Sequence, residues 1–177
     1  MEVKMVNVFS RLAMVLGVSA MLLASSHLAI AAGPAQPRGN IILTVSGALG
    51  NAIGDDKAAF DLDMLKALPV TTFKTKTTWT EGEKKFTGVS MQALLSAVGS
   101  TGHVAKSIAL NDYGVEIPVS DAVADGPIIA YLMDDKPMPV RDKGPLWIVY
   151  PFDAKAEYRT EATYAKSIWQ LSRIELK

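Results

Sequence analysis

The chain has 177 residues, 49% apolar and 20% charged, a balance that suits one packed globule and excludes a disordered chain. Its formal net charge is zero, so no concentrated positive charge points to nucleic acid as a partner. It has no cysteine, which excludes disulfides, thiolate catalysis and cysteine–zinc sites together.

The N-terminus has the form of a signal peptide over 1–31. Lys4 and Arg11 give a positive start, Leu12 to Ala24 a short apolar run, and Ala29-Ile30-Ala31 a small-x-small cleavage site. The apolar run is short for a membrane span and is broken by Ser25, Ser26 and His27, so no membrane insertion is expected after cleavage. Lys4 and Arg11 are separated, not a twin-arginine pair, which indicates the general secretion route. An exported chain without cysteine fits a bacterial periplasm. Removal of 1–31 leaves His103 as the remaining histidine, beside Gly102 in an expected surface loop, and rules out a multi-histidine metal site in one mature chain.

Residues 32–40 read as a flexible Pro/Gly/Gln-rich leader, and 41–177 as one domain. Ile41 to Ser46 reads as a strand, and Gly47 to Lys57 as loop. Asp61 to Leu68 reads as a short helix with Asp61 as N-cap and Pro69 as stop. Val70 to Thr80 reads as a strand, with Lys74 and Lys76 on one face and Phe73 and Thr75 on the other. Glu81 to Lys85 reads as a solvated turn. Ser90 caps a helix over Met91 to Val98 that buries Leu94, Leu95 and Val98, and Gly99 closes it. Val104–Leu110 and Gly114–Val119 are strands around an Asn111-Asp112-Tyr113 turn. One helical turn is expected over Ser120–Ala124. Ile128–Met133 is a buried strand followed by an Asp134-Asp135-Lys136 hairpin turn. Leu146–Tyr150 and Ile168–Leu176 are strands, and Lys155–Tyr164 between them is loop with some helix. Many strands and a few short helices predict an α+β domain with a mixed, barrel-like β core.

Several short motifs occur in order: Phe86-Thr87-Gly88-Val89-Ser90 with Leu94-Leu95, then Asn111-Asp112-Tyr113 with Ile117-Pro118. Ile129-Ala130-Tyr131 with Asp135-Lys136-Pro137-Met138-Pro139 follows, then Gly144-Pro145-Leu146-Trp147-Ile148-Val149-Tyr150-Pro151. Lys166-Ser167-Ile168-Trp169 with Arg173-Ile174-Glu175 comes last. Together they resemble the molybdopterin-binding domain of the sulfite oxidase superfamily across Ile41 to Lys177. Two departures stand out. Where that family carries its molybdenum-ligating cysteine, this chain has Trp79, and Asp153 to Tyr164 forms an extra segment of about a dozen residues. The pattern looks most like the small periplasmic, pterin-binding branch of that fold. The resemblance implies a partner in the periplasmic domain of an inner-membrane diguanylate cyclase–phosphodiesterase, with effects on cyclic di-GMP and biofilm formation.

On this reading the ligand is a pterin, with no catalytic cofactor and no metal. An indole can stack on a flat heterocycle, so Trp79 is a ring platform, or else a core tryptophan at a strand end. Asp112 can accept paired hydrogen bonds from the ring's amino edge, or is an ordinary turn aspartate beside Tyr113. Arg159 can face the ring carbonyl, or is a solvated charge. Glu81 joins the site beside Trp79. Tyr150, Phe152 and Tyr164 are expected walls. Lys166 and Ser167 match the element that meets the cofactor phosphate in the enzymes, and Trp169 is a wall or a core residue. Two other functions stay open: a molybdopterin-dependent oxidoreductase with Glu81 or Asp112 as an oxygen ligand to the metal, and a scaffolding domain without a pterin.

Overall fold

The computed structural model describes residues 36–50 and 57–177. The expected signal peptide over 1–31, the start of the leader and most of the expected 47–57 loop lie outside the described residues.

Ten strands and three short helices are found among the described residues. The first sheet contains β1 (Leu43–Gly47), β2 (Lys57–Phe60), β5 (Val104–Ala109), β6 (Gly114–Pro118) and β10 (Leu171–Leu176), in the order β2-β1-β10-β5-β6. Strands β1 and β10 run parallel, with Thr44 opposite Arg173, and the other pairs are antiparallel. The second sheet contains β3 (Val70–Lys76), β4 (Glu83–Ser90), β7 (Ile128–Met133) and β8 (Lys136–Pro137) in that order, while β9 (Trp147–Val149) also pairs with β7. The α+β expectation holds, and the strands sit in two sheets that do not close into a barrel.

Local chemistry explains most boundaries. In α1 (Leu62–Ala67) the Asp61 side chain caps the helix by accepting the Met64 N–H at 2.8 Å. Its other oxygen accepts the N–H groups of Arg38 and Gly39, each at 2.8 Å, so the end of the leader is tied down where a loosely held segment was expected. In α2 (Met91–Ala97) Ser90 accepts the Ala93 N–H at 3.0 Å, as the motif predicted, and Gly99 leaves in the left-handed conformation. Asp134 and Asp135 both take positive φ, which is what the two-residue β7–β8 hairpin requires.

Strands β1 and β9 shift from the sequence reading by one or two residues at their ends, and four differences go further. Strand β2 went unforeseen because Lys57-Ala58-Ala59-Phe60 has too little β-branched character to stand out, and its pairing with β1 creates it. Strand β3 stops at Lys76, four residues earlier than expected, so Trp79 sits in a turn. Glu83 to Lys85 belong to β4, not to the turn. Their run of charge reads as solvated loop, but their backbone pairs with β3 and their side chains reach outward. Lys84 meets Asp134 at 3.0 Å and Lys85 meets Asp135 at 2.8 Å. Strand β10 starts at Leu171, because Gln170 adopts φ 52° and breaks the extended run from Ile168.

The core lies between the sheets and is centred on aromatic rings. Phe86 and Trp147 are fully buried and meet edge to face at 5.3 Å between centroids. Gly88 lies at a register shift between β4 and β7, where a β-carbon would strike the Ile129 carbonyl. The sheets join at one seam. Trp147 forms a bridge with Trp169, Ile148 N–H bonds the Ile168 carbonyl at 2.9 Å, and Leu171 N–H bonds the Leu146 carbonyl at 2.9 Å.

Candidate ligand-binding site

At this seam a cleft of about 330 Å³ opens, with Trp79, Tyr164 and Trp169 on its aromatic side and Asn111, Tyr113 and Gln170 among its polar residues. Three separate elements converge there: the β3–β4 turn, the β5–β6 turn and the segment between α3 (Glu161–Ala165) and β10.

The turn that carries Trp79 is built from hydroxyls. Trp79 N–H donates to Thr77 Oγ1 at 3.1 Å, and the Thr77 and Thr80 hydroxyls lie 2.8 Å apart. Gly82 closes the turn with φ 67°. The half-buried Trp79 ring meets Trp169, Tyr164, Trp147 and Phe152 at centroid distances of 5.6, 5.9, 6.0 and 6.3 Å. All four contacts are edge-type, so none of these rings lies parallel on the indole as a flat ligand would.

Beneath the cleft, Trp147 Nε1–H donates to Ser167 Oγ at 3.1 Å, and that hydroxyl donates to the Ile148 carbonyl at 2.6 Å. The Ser167 proton is therefore committed inside the protein. Ser167 reaches the cleft wall chiefly as the support that holds Trp147 and the chain beside Trp169 in place.

The residues expected at the site separate into four groups. Trp79, Tyr113, Tyr164, Ser167 and Trp169 line the cleft together. Phe152 is fully buried below it, against Trp79 and Tyr164. Tyr150 and Lys166 face a second depression of about 340 Å³, with Asp121 and Tyr158. There Tyr150 OH and Lys166 Nζ each donate to Asp121 Oδ2 at 2.8 Å. Burial raises the Tyr150 pKa far above the ordinary phenol range, and the Asp121 hydrogen bond and charge push it the same way. Glu81 and Arg159 are exposed and line neither depression. Asp112 points out of its left-handed turn, where Arg173 donates to it at 2.7 Å. His103 is exposed.

Residues that sequence reasoning did not assign complete the picture. Asn111 had a visible signal, since an asparagine opening a turn commonly binds the backbone two residues on. Gln170 had none, because its left-handed backbone and its position come from tertiary contacts. The cleft lining contains no Asp, Glu, Lys, Arg or His. Among the described residues, no three His, Cys, Asp or Glu side chains are grouped to hold a metal ion.

A family model for the oxidoreductase molybdopterin binding domain matches residues 53–157. The match takes in the four motifs from Phe86 to Pro151. The Lys166-Ser167 element and β10 lie beyond it. No curated protein matches the chain.

Proposed function

Because the chain belongs to the family of sulfite oxidase-type molybdopterin-binding domains, we propose that it holds the flat ring of a pterin in the aromatic cleft and does so without metal chemistry. The observation that carries this reading is the character of that cleft: an indole flanked by rings that meet it only edge-on, within a lining free of charge, and the sequence resemblance supports it by setting this indole where the family carries its cysteine.

The residues present do not fit the metal-bearing cofactor. The chain has no thiolate to offer molybdenum. The oxygen donors considered in its place, Glu81 and Asp112, lie outside the cleft, and Asp112 is paired with Arg173. Lys166, the cation expected to meet a cofactor phosphate, is paired with Asp121 on the other depression. A neutral ring with hydrogen-bonding edges suits the lining better than a phosphate-bearing group, which wants charge-assisted donors.

On this proposal the protein is a periplasmic binding protein. It reports pterin to the periplasmic domain of an inner-membrane diguanylate cyclase–phosphodiesterase and so affects cyclic di-GMP and biofilm formation. Support for the export comes from the signal-like 1–31 segment, and support for the partner from the resemblance to the small pterin-binding branch. The test is a mass spectrum of whatever small molecule the full chain, purified from periplasm, releases on denaturation. Free pterin supports the reading. A pyranopterin dithiolene or its phosphate-bearing breakdown product overturns it in favour of an oxidoreductase, and a chain that neither carries nor binds a pterin reverts to the scaffolding alternative.

A further inference from the structure

Two amides line the cleft, and backbone partners fix which end of each is committed. Asn111 Oδ1 accepts the Tyr113 N–H at 3.2 Å, so its carbonyl end is in use and its NH₂ is not bonded among the described residues. Gln170 is the reverse. Its Nε2 donates to the Val140 carbonyl at 2.6 Å and reaches the Asp142 carbonyl at 3.4 Å, which leaves its Oε1 without a partner among the described residues. Neither amide can be turned over without setting a donor against a donor or an acceptor against an acceptor. The Gln170 backbone is pinned as well: its N–H donates to the Lys143 carbonyl at 3.1 Å and its carbonyl accepts the Leu110 N–H at 2.9 Å.

Resting on the reading of the cleft as a pterin site, we infer that Asn111 and Gln170 select the 2-amino-4-oxopyrimidine edge of the ligand, Asn111 donating to its carbonyl and Gln170 accepting from its N–H groups. A carboxylate at this position would favour a protonated ring, whereas two neutral amides favour the neutral lactam. The same edge occurs in pterins and in guanine. A 2,4-diamino ring puts N–H groups where the carbonyl would be and meets the Asn111 NH₂ donor to donor. A site built to bond one pattern rejects the mismatched one because its polar groups are left unpaired.

The experiment is a titration of the purified full chain, followed by tryptophan fluorescence, with pterin, guanine and 2,4-diaminopteridine. Pterin should bind about ten- to a hundredfold more tightly than the diamino ring, one or two unpaired polar groups being at stake. Asn111→Asp keeps an oxygen for Tyr113 N–H but presents an acceptor in place of the NH₂, so the preference should shrink or reverse. Gln170→Asn keeps a residue tolerant of left-handed backbone but shortens its reach, and should weaken the amino-oxo rings about tenfold. Pterin that binds no better than the diamino ring, or a ratio untouched by Asn111→Asp, overturns the inference and leaves the pterin reading standing. Guanine bound in place of pterin keeps the edge selection but ends the pterin reading. Failure of both amino-oxo rings to bind ends both.

Discussion

Asp153 accepts the Lys76 backbone N–H at 2.7 Å, across 77 positions of sequence. The same carboxylate oxygen is 3.3 Å from the Thr75 hydroxyl, which in turn accepts the Asp153 N–H at 3.1 Å. This clamp joins the end of β3 to the segment that follows β9. It sets the start of the Trp79 turn over Phe152, so Asp153 helps to place the indole. Asp153→Ala should lower stability by about 1–2 kcal/mol, the cost of taking the charged acceptor from the Lys76 N–H and one of several partners from the buried Thr75 hydroxyl. Pterin affinity should fall with it. Denaturation midpoints beside a fluorescence titration check both effects, and Asp153→Asn should retain part of each.

Trp79→Ala should remove the platform. Stacking contributes about 0.5–1.5 kcal/mol beyond area burial, and with the lost apolar contact the affinity for pterin should drop about tenfold or more. Trp79→Phe should recover much of the loss. An unchanged dissociation constant for Trp79→Ala would remove the indole from the site, whatever the effect on stability.

Lys166→Ala tests whether the second depression takes part. Lys166 and Tyr150 share Asp121 there, away from the aromatic cleft. Pterin affinity should stay within about twofold, while loss of a partly buried ion pair lowers stability by about 1 kcal/mol. A large loss of affinity measured by titration would mean that the ligand extends past α3.

Gly88→Ala should destabilise the fold by about 2 kcal/mol or more, since its β-carbon meets the Ile129 backbone carbonyl and not a flexible side chain. The protein that does fold should bind pterin normally, because Gly88 lies in the β4–β7 pairing and not in the cleft lining. Urea titration separates the two effects.

Acid should weaken the fold through Asp61 and Asp134. The N–H groups of Met64 and Gly39 lower the Asp61 pKa, and the Lys85 N–H followed by Lys84 lowers that of Asp134. Each carboxylate binds its proton less readily in the folded chain than at the unfolded value of 3.8. Their stabilising effect is therefore complete above that value and is lost as pH falls through the lower folded pKa values. Thermal melts between pH 2 and pH 6 should show the decline, and Asp61→Asn should flatten part of it.

Local chemistry in the sequence was enough to identify Asp61 and Ser90 as helix caps, Asp134-Asp135 as a hairpin turn and the ordered motifs of the family, because each depends on neighbours a few residues away. It was also enough to identify the missing cysteine. What it left undecided depends on groups far apart in the chain. Asp112 and Asn111 are adjacent in one turn, yet Arg173 draws Asp112 outward while Asn111 lines the cleft. Lys166 and Ser167 are adjacent too, and the change of side from one residue to the next sends the first to Asp121 and the second to Trp147. Gln170 becomes a cleft residue only because Leu110, Val140 and Lys143 hold it in a left-handed conformation. Composition and spacing determine which residue types can build a ring-binding site. Long-range hydrogen bonds, formed only when the two sheets meet at Trp147 and Trp169, decide which of those residues face it.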